Sequence, residues 1–196
     1  MSNAITEFRG SNFFLSNFYI APVFYQGIRF ENNEAAFQAA KCPERMRDFC
    51  GLNPQSAKRL GRRVELRPDW ENVKYDVMYQ VCKAKFLQNA ALYKKLIDTG
   101  DAELVEGNTW GDQVWGVCKG VGENNLGKIL MRIREELVKS RNNPLGSIVD
   151  EVGGEHEGGC GWQPDGTPCG ECSDMSCGAC PVYLETRGQG HEYKGT

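Results

Sequence analysis

Apolar residues recur at helical spacing in two long segments of the chain. Apolar side chains spaced three or four residues apart fall on one face of an α-helix, so both segments predict helices that bury one side. The first spans residues 68–87 with Pro68 near its start, and the second begins at Asn124. Their apolar positions are Val73, Val77, Val81 and Ala84 in the first, and Leu126, Ile129, Leu130, Ile133 and Leu137 in the second.

Shorter segments between these helices combine turn residues with brief apolar patterns. Residues 23–30 predict two short strands that turn near Gly27. Gly100 favours the end of a helix, because glycine readily adopts the left-handed conformation found there. The remaining predicted elements are a basic helix at 54–63, a helix at 91–99, and strand fragments at 102–108 and 113–117 around a tight loop.

Residues 33–41, with the sequence NEAAFQAAK, predict a short helix with a polar stripe. Asn32 or Asn33 can cap its first turn, and Pro43 ends it or follows closely. Glu34, Gln38 and Lys41 occupy positions i, i+4 and i+7 and therefore share one face. The stripe has two interpretations: a solvated face with a weak Glu–Lys attraction, or one wall of an active site.

Composition and charge narrow the class of protein. Apolar residues make up 40% of the 196 residues, which is typical of a globular domain. No apolar run approaches the ~20 residues of a membrane helix. The first residues do not resemble a secretory signal, so we expect a cytoplasmic protein with reduced cysteines.

Charge divides the chain near residue 141. Residues 1–141 hold 21 Lys and Arg against 17 Asp and Glu, whereas residues 142–196 hold 2 against 9 and are rich in glycine. We therefore predict a domain at 1–141 and an acidic appendage at 142–196. A mildly basic body suits an anionic ligand such as a phosphate.

Several short motifs occur in an order that resembles one known family. They are Ser-Asn-Phe at 16–18, the Glu-x-x-Phe-Gln-Ala-x-Lys helix at 34–41, Trp70 after a basic helix, Trp-Gly-Asp at 110–112, and a final Leu-Gly-x-x-Leu-Met helix at 126–131. In this order they resemble the NADAR family, also called YbiA-like proteins, over about residues 5–139.

The resemblance implies a helix-rich α+β fold and N-glycosidase chemistry. The implied substrates are phosphoribosylamino-pyrimidine intermediates of riboflavin synthesis, or guanine carrying ADP-ribose, which includes ADP-ribosylated nucleic acid. By their motif positions, Glu34, Trp70 and Asp112 correspond to residues expected to be catalytic. No cofactor is expected for this chemistry.

General chemistry supports a pair of carboxylates. Breaking a ribose C1′–N bond develops positive charge on the sugar, and the leaving nitrogen needs a proton. One carboxylate can stabilise the cation or orient water while the other acts as acid or base, and Glu34 and Asp112 form the predicted pair. Sequence does not assign the two roles.

Lys41 has two candidate roles, as a charge that binds phosphate or as an amine that forms a Schiff base with the opened ribose. Arg62 and Arg63 are candidate phosphate ligands. Trp110, like Trp70, could stack on the base or the sugar, although each Trp alone is more often core. The predicted substrate-binding set is completed by Asn17, Phe18 and Gln38.

The appendage contains five cysteines spaced C-x8-C-x2-C-x4-C-x2-C. Two C-x2-C knuckles favour a structural zinc site, with an iron–sulfur cluster as the second choice and a disordered acidic tail as the alternative to both. The candidate ligands are Cys160, Cys169, Cys172, Cys177 and Cys180.

Other residues carry weaker signals. Both histidines, His156 and His191, lie in the appendage, which excludes a histidine-based triad in the domain at 1–141. Cys42, Cys50, Cys82 and Cys118 show no ligand spacing and are expected to be small buried residues.

The competing function is a non-catalytic ADP-ribose or nucleotide-binding module whose zinc-bearing tail recruits a partner.

Overall fold

The computed structural model describes residues 4–142, which form five α-helices, two 3₁₀ helices and six short strands. The predicted α+β, helix-rich class is confirmed. The helices are α1 Asn33–Ala39, α2 Pro54–Gly61, α3 Trp70–Gln88, α4 Ala90–Asp98 and α5 Asn125–Asn142, and the 3₁₀ helices are Gly10–Leu15 and Pro43–Phe49. The strands are β1 Ala4–Ile5, β2 Ile20–Tyr25, β3 Ile28–Asn32, β4 Glu103–Leu104, β5 Gly107–Asn108 and β6 Val117–Cys118.

Strands β2 and β3 form the predicted antiparallel hairpin. The turn residues Gln26 and Gly27 both have positive φ angles, 49° and 73°, as a two-residue hairpin turn requires. Along β2 every second side chain is buried, and Val23 is fully so. The free edge of β2 faces the end of α3, where the Gln88 amide accepts from the Phe24 N–H (2.7 Å) and donates to the Phe24 carbonyl (2.9 Å).

Helix α1 is buried along its whole length, including its polar residues Asn33, Glu34 and Gln38. It packs against α2, α3, the hairpin and the second 3₁₀ helix. Small residues make this possible. The alanines of α1 let neighbours approach closely, and Gly61 of α2 lies so near Gln38 that a Cβ at position 61 would collide with the glutamine side chain.

Asn32 fixes the start of α1, as predicted. Its side-chain oxygen accepts from the Ala35 N–H (2.8 Å), and its amide donates to the Leu52 carbonyl (2.9 Å). The Glu34 N–H also donates to the Asn17 carbonyl (3.0 Å), which joins the helix to the segment after the first 3₁₀ helix. The α-helix ends at Ala39, so Lys41 lies in the turn that follows it rather than on the helix itself.

Helices α3 and α5 pack on one another and supply much of the core, with Val81 and Ile133 fully buried. Gly100 adopts a positive φ of 58° after α4, which confirms the predicted end of that helix. Of the described cysteines, Cys42, Cys82 and Cys118 are buried as expected, whereas Cys50 is exposed because it follows the last turn of the second 3₁₀ helix.

The segment between α4 and α5 differs from the prediction of two strand fragments at 102–108 and 113–117. It contains three two-residue strands, of which β4 pairs with β1 and β5 pairs with β6, both in parallel. Residues 113–116 form a loop. The physical reason is that the Asp112 side chain accepts from the N–H groups of Val114 and Trp115, which are then not offered to a partner strand.

Two further findings concern the described residues 4–142. They contain no cluster of three or more His, Cys, Asp or Glu residues that could hold a metal ion. No helix among these residues has both the length and the apolar composition of a membrane span. The predicted cysteine site at 160–180 and the appendage at 142–196 fall almost wholly outside the described part of the chain and stay predictions.

The two hydrogen bonds of Asn32 generate a stability prediction. Asn32→Ala should lower the free energy of unfolding by roughly 2 kcal/mol, because it removes the cap of α1 and leaves the partly buried Leu52 carbonyl without its partner. The matched control is Asn53→Ala, which removes the exposed cap of α2 at Ser56 and should lower it by only about 0.5–1 kcal/mol. Urea unfolding of both variants measures the difference, and equal losses would contradict the second role of Asn32.

Candidate active site

A cavity of about 920 Å³ opens over α1 and contains most of the residues predicted for the site. Its walls come from the segment after the first 3₁₀ helix, from α1 and α2, and from the loop between β4 and β6. The predicted residues that line it are Asn17, Phe18, Glu34, Gln38, Lys41, Arg62, Trp110 and Asp112.

Two predicted residues, Trp70 and Arg63, do not line this cavity. Trp70 is buried at the start of α3 and packs on Phe37, with ring centroids 5.2 Å apart. Trp70 therefore lies behind Phe37, which lines the cavity, and a base bound in the cavity could not stack on the Trp70 ring. Arg63 is five residues after Lys58, so it lies off the face that Lys58 and Arg62 share at a spacing of four.

Glu34 is 6% exposed and forms part of the cavity wall. Its Oε1 accepts a hydrogen bond from the Gln38 Nε2 (2.8 Å), the i+4 contact that the stripe predicted. Burial raises the pKa of Glu34, and the Gln38 hydrogen bond and the nearby cations Lys58 and Lys41 partly oppose that rise. The stripe is thus the wall of a cavity and not a solvated face.

Lys41 lines the same cavity from the turn after α1. Its ammonium lies 5.6 Å from the centre of the Trp70 ring and 5.9 Å from that of Phe37. Burial lowers the pKa of Lys41, and the charge of Glu34 partly opposes this. A lowered pKa increases the fraction of neutral amine, the form that can act as a nucleophile.

Asp112 is held rigidly in its loop. Its Oδ1 accepts from the backbone N–H groups of Val114 (3.1 Å) and Trp115 (2.9 Å). The Asn108 side chain binds the Asp112 backbone at both its N–H (3.1 Å) and its carbonyl (2.7 Å). These hydrogen bonds fix the orientation of the Asp112 carboxylate.

Glu106 is a cavity residue that the sequence reasoning missed. Burial, and next the charge of Asp112, raise its pKa to about 7, while Lys58 opposes the rise. The signal that could have revealed it is strand alternation. Ala102 and Leu104 are buried, and Glu106 continues the same two-residue period, so its side chain is expected on the buried face.

Trp115 was also missed. It lines the cavity and meets Phe37 edge to face, with centroids 5.4 Å apart and planes at 82°. Phe37 therefore contacts Trp70 and Trp115. Trp110, which the motif singled out, also lines the cavity but is 58% exposed. Nothing in the local pattern distinguishes the partly buried Trp115 from the exposed Trp110, because both stand before a glycine in a loop.

A basic wall faces these carboxylates. The cavity is lined here by Lys58 and Arg59 of α2 and by Arg62, which follows the end of that helix. The Lys58 ammonium lies 5.5 Å from the centre of the Phe18 ring. Lys58 and Arg62 are four residues apart, a spacing from which their shared face could have been predicted. Carboxylates, cations and aromatic rings in one cavity define an enzyme-like pocket for an anionic ligand that carries a planar ring.

Comparisons with known proteins agree with this class. The family model of the NADAR domain matches residues 6–138. The chain is 40% identical over 128 residues to the N-glycosidase YbiA of Escherichia coli, a match that covers 62% of this chain and 79% of that protein. It is 35% identical over 145 residues to a riboflavin biosynthesis protein of Vibrio vulnificus, covering 71% of this chain and 39% of that protein.

A solved structure shows the same fold. The NMR structure of the Escherichia coli protein YbiA matches with a TM-score of 0.65 and 34% sequence identity, covering 72% of this chain and 89% of that one. The protein belongs to the NADAR family, and the predicted YbiA-like fold is confirmed.

The raised pKa of Glu106 generates a prediction for the pH dependence of stability. Its folded pKa of about 7 exceeds the ordinary value of 4.5, so the folded state binds the proton more tightly than the unfolded state. The resulting stabilisation is complete below the unfolded pKa and is lost as pH rises to the folded pKa.

Relative to the wild type, Glu106→Gln should therefore leave the free energy of unfolding nearly unchanged at pH 4.5 and raise it by roughly 3 kcal/mol above pH 7. Urea unfolding across this pH range measures the effect. Glu103→Gln, a substitution of an exposed glutamate nearby, is the control and should follow the wild-type curve. A parallel displacement at every pH would contradict the prediction.

Proposed function

We propose that this protein hydrolyses the ribose C1′–N bond of a phosphoribosylamino-pyrimidine, an intermediate of riboflavin synthesis. Membership of the NADAR family supports the enzyme class, because relatives carry the name N-glycosidase, and the name of the Vibrio vulnificus relative supports the pathway. The observation that carries the proposal is the cavity itself, in which Glu34 and Asp112 share one space with the basic wall of α2.

The parts of the cavity match the parts of such a substrate. A 5′-phosphate suits Lys58, Arg59 and Arg62, since cations grouped on one wall attract a dianion. The pyrimidine suits the aromatic rings, with Trp115 and the exposed Trp110 both in the lining. The ribose then lies between these two ends, beside the carboxylates.

The carboxylates act on the charge that develops at the sugar. As the C1′–N bond lengthens, positive charge spreads over C1′ and the ring oxygen. Asp112, fixed by two backbone N–H groups, stabilises that charge without moving. Glu34, buried beside Gln38 and close to Lys41, accepts a proton from the attacking nucleophile, because its raised pKa makes it a better base.

ADP-ribosylated guanine is a second candidate substrate, and the size of the cavity supports it. At about 920 Å³ the cavity lies near the upper end of the usual range for small-molecule sites, roughly 300–1,000 Å³. A diphosphate with its second nucleoside needs more room than a single phosphoribosyl group. The basic wall would then hold the two phosphates.

A substrate panel tests the proposal. The purified protein is incubated with the phosphoribosylamino-pyrimidine, with ADP-ribosylated guanosine and with ADP-ribosylated oligonucleotide, and released base and sugar are measured by mass spectrometry. We expect free pyrimidine and ribose 5-phosphate from the first. Binding of all three without release of any base would instead support the non-catalytic nucleotide-binding module.

The two carboxylates generate an activity prediction. Glu34→Gln and Asp112→Asn should each lower kcat by at least ~10², the low end for a positioned acid–base or charged group. Both should remain folded, because each swap is nearly isosteric. Glu103→Gln and Asp98→Asn are controls on exposed residues away from the cavity and should keep normal turnover. Near-normal turnover in either cavity variant would remove that residue from the mechanism.

Lys41 generates a second activity prediction, in which it forms a Schiff base. The neutral amine attacks C1′, the base leaves with a proton, ring opening gives an iminium, and water releases ribose phosphate and free Lys41. Lys41→Arg should then abolish turnover, and borohydride should trap a sugar adduct on Lys41. Lys58→Arg, a control at a phosphate-binding position, should keep most of the activity. An active Lys41→Arg enzyme with no trapped adduct would reduce Lys41 to a phosphate ligand.

A further inference from the structure

Glu106 is anchored in the cavity wall by its backbone on both sides. Its N–H donates to the Asn124 Oδ1 (3.0 Å), and its carbonyl accepts from the Val117 N–H (2.9 Å). Asn124 has a positive φ of 54°, and its amide also donates to the Leu104 carbonyl (2.9 Å). The Asn124 side chain thus also holds Leu104, which lies two positions before Glu106. The backbone position from which the Glu106 side chain extends is therefore set by the fold.

The three carboxylates of the cavity differ in the hydrogen bonds they receive from the described residues. Asp112 accepts two backbone N–H groups, and Glu34 accepts the Gln38 amide. The Glu106 Oε2 is fully buried and has no hydrogen-bond partner there. A buried charged oxygen without a donor is strongly unfavourable, whereas a protonated carboxyl needs only an acceptor.

The charges around Glu106 also favour the protonated form. Glu34 of α1 and Asp112 of the following loop repel a negative charge at this position, and Lys58 of α2 attracts it. The thiol of Cys82 on α3 is also within electrostatic range and is kept neutral by a pKa raised to about 12. When a substrate phosphate binds Lys58, that attraction is offset, and the proton on Glu106 is held more firmly.

We propose that Glu106 is a further catalytic residue, the carboxyl group that donates a proton to the leaving nitrogen as the C1′–N bond breaks. This inference rests on the proposed glycosidase function and adds to it the acid that the reaction requires. The site is incomplete without a ligand at this point, because Glu106 lines the cavity and its Oε2 lacks a partner among the described residues.

The proton balance of the cycle is complete with Glu106 included. The electron pair of the C1′–N bond goes to the nitrogen, which takes the Glu106 proton and leaves as the neutral amine. Glu106 is then an anion in the low-polarity wall. Glu34 takes the one proton released when water adds to the sugar and passes it to Glu106, which restores the starting forms of both carboxyl groups. Asp112 stabilises the charge that develops on the sugar and exchanges no proton.

The test compares two substrates that share ribose 5-phosphate and differ in the leaving group. One is the phosphoribosylamino-pyrimidine, and the other carries 4-nitrophenolate at C1′, which leaves as a stable anion without protonation. Glu106→Gln should lower kcat/KM on the pyrimidine substrate by ~10² or more and change it by less than about threefold on the nitrophenyl substrate. Glu103→Gln should match the wild type on both.

The pH profile gives a second readout. The wild-type rate on the pyrimidine substrate should fall as pH rises past the Glu106 pKa of about 7, and this limb should be missing from the nitrophenyl profile. Glu106→Asp keeps a carboxyl group but moves it away from the leaving nitrogen, so it should show the same substrate-selective loss. This variant replaces Glu106→Gln in the test if the glutamine variant does not fold.

Each outcome has a distinct meaning. Equal losses on both substrates would make Glu106 a stabiliser of the sugar cation and overturn its role as acid, as would full activity of Glu106→Gln on the pyrimidine. Both results leave the glycosidase proposal standing. A wild-type protein that cleaves neither substrate while it remains folded would overturn the proposed function and this inference with it.

Discussion

The burial of helix α1 is the constraint on which the rest of the structure depends. A helix of seven residues is too short to be stable alone, so it forms because its neighbours enclose it. Enclosing it also buries Glu34 and Gln38, which then satisfy each other in part. The Asn32 cap, the alanines and the close approach of Gly61 are all conditions for burying polar side chains in the wall of the cavity.

The same enclosure gives the site its electrostatic character. Burial raises the pKa values of Glu34 and Glu106 and lowers that of Lys41, so each group is moved toward its neutral form. A protonated Glu106 can donate a proton, a raised pKa strengthens Glu34 as a base, and a lowered pKa favours the nucleophilic form of Lys41. The cations of α2 lie on another wall, where they can bind phosphate without neutralising every carboxylate.

Local chemistry explains which features could be predicted from the sequence. The hairpin turn at Gly27, the Asn32 cap and the end of α4 at Gly100 depend on a few adjacent residues, and all three are confirmed. The stripe of Glu34, Gln38 and Lys41 could also be found, because its members recur about one helical turn apart, although Lys41 lies in the turn that follows α1. The roles of Trp70 and Trp115 could not, since they depend on contacts with Phe37 that no local spacing records.

The contact between Gln88 and the free edge of β2 has a consequence for the protein in concentrated solution. A two-stranded sheet can add a strand from another molecule wherever backbone groups on its edge are unpaired. Next to this edge the protein exposes Ile20, Phe24 and Leu87, each more than half accessible, which would strengthen such an association. The Gln88 amide hydrogen-bonds both the N–H and the carbonyl of Phe24, and the Asn89 amide donates to the Pro22 carbonyl. These backbone groups are therefore not available to pair with an incoming strand. The end of α3 therefore protects the hairpin against aggregation.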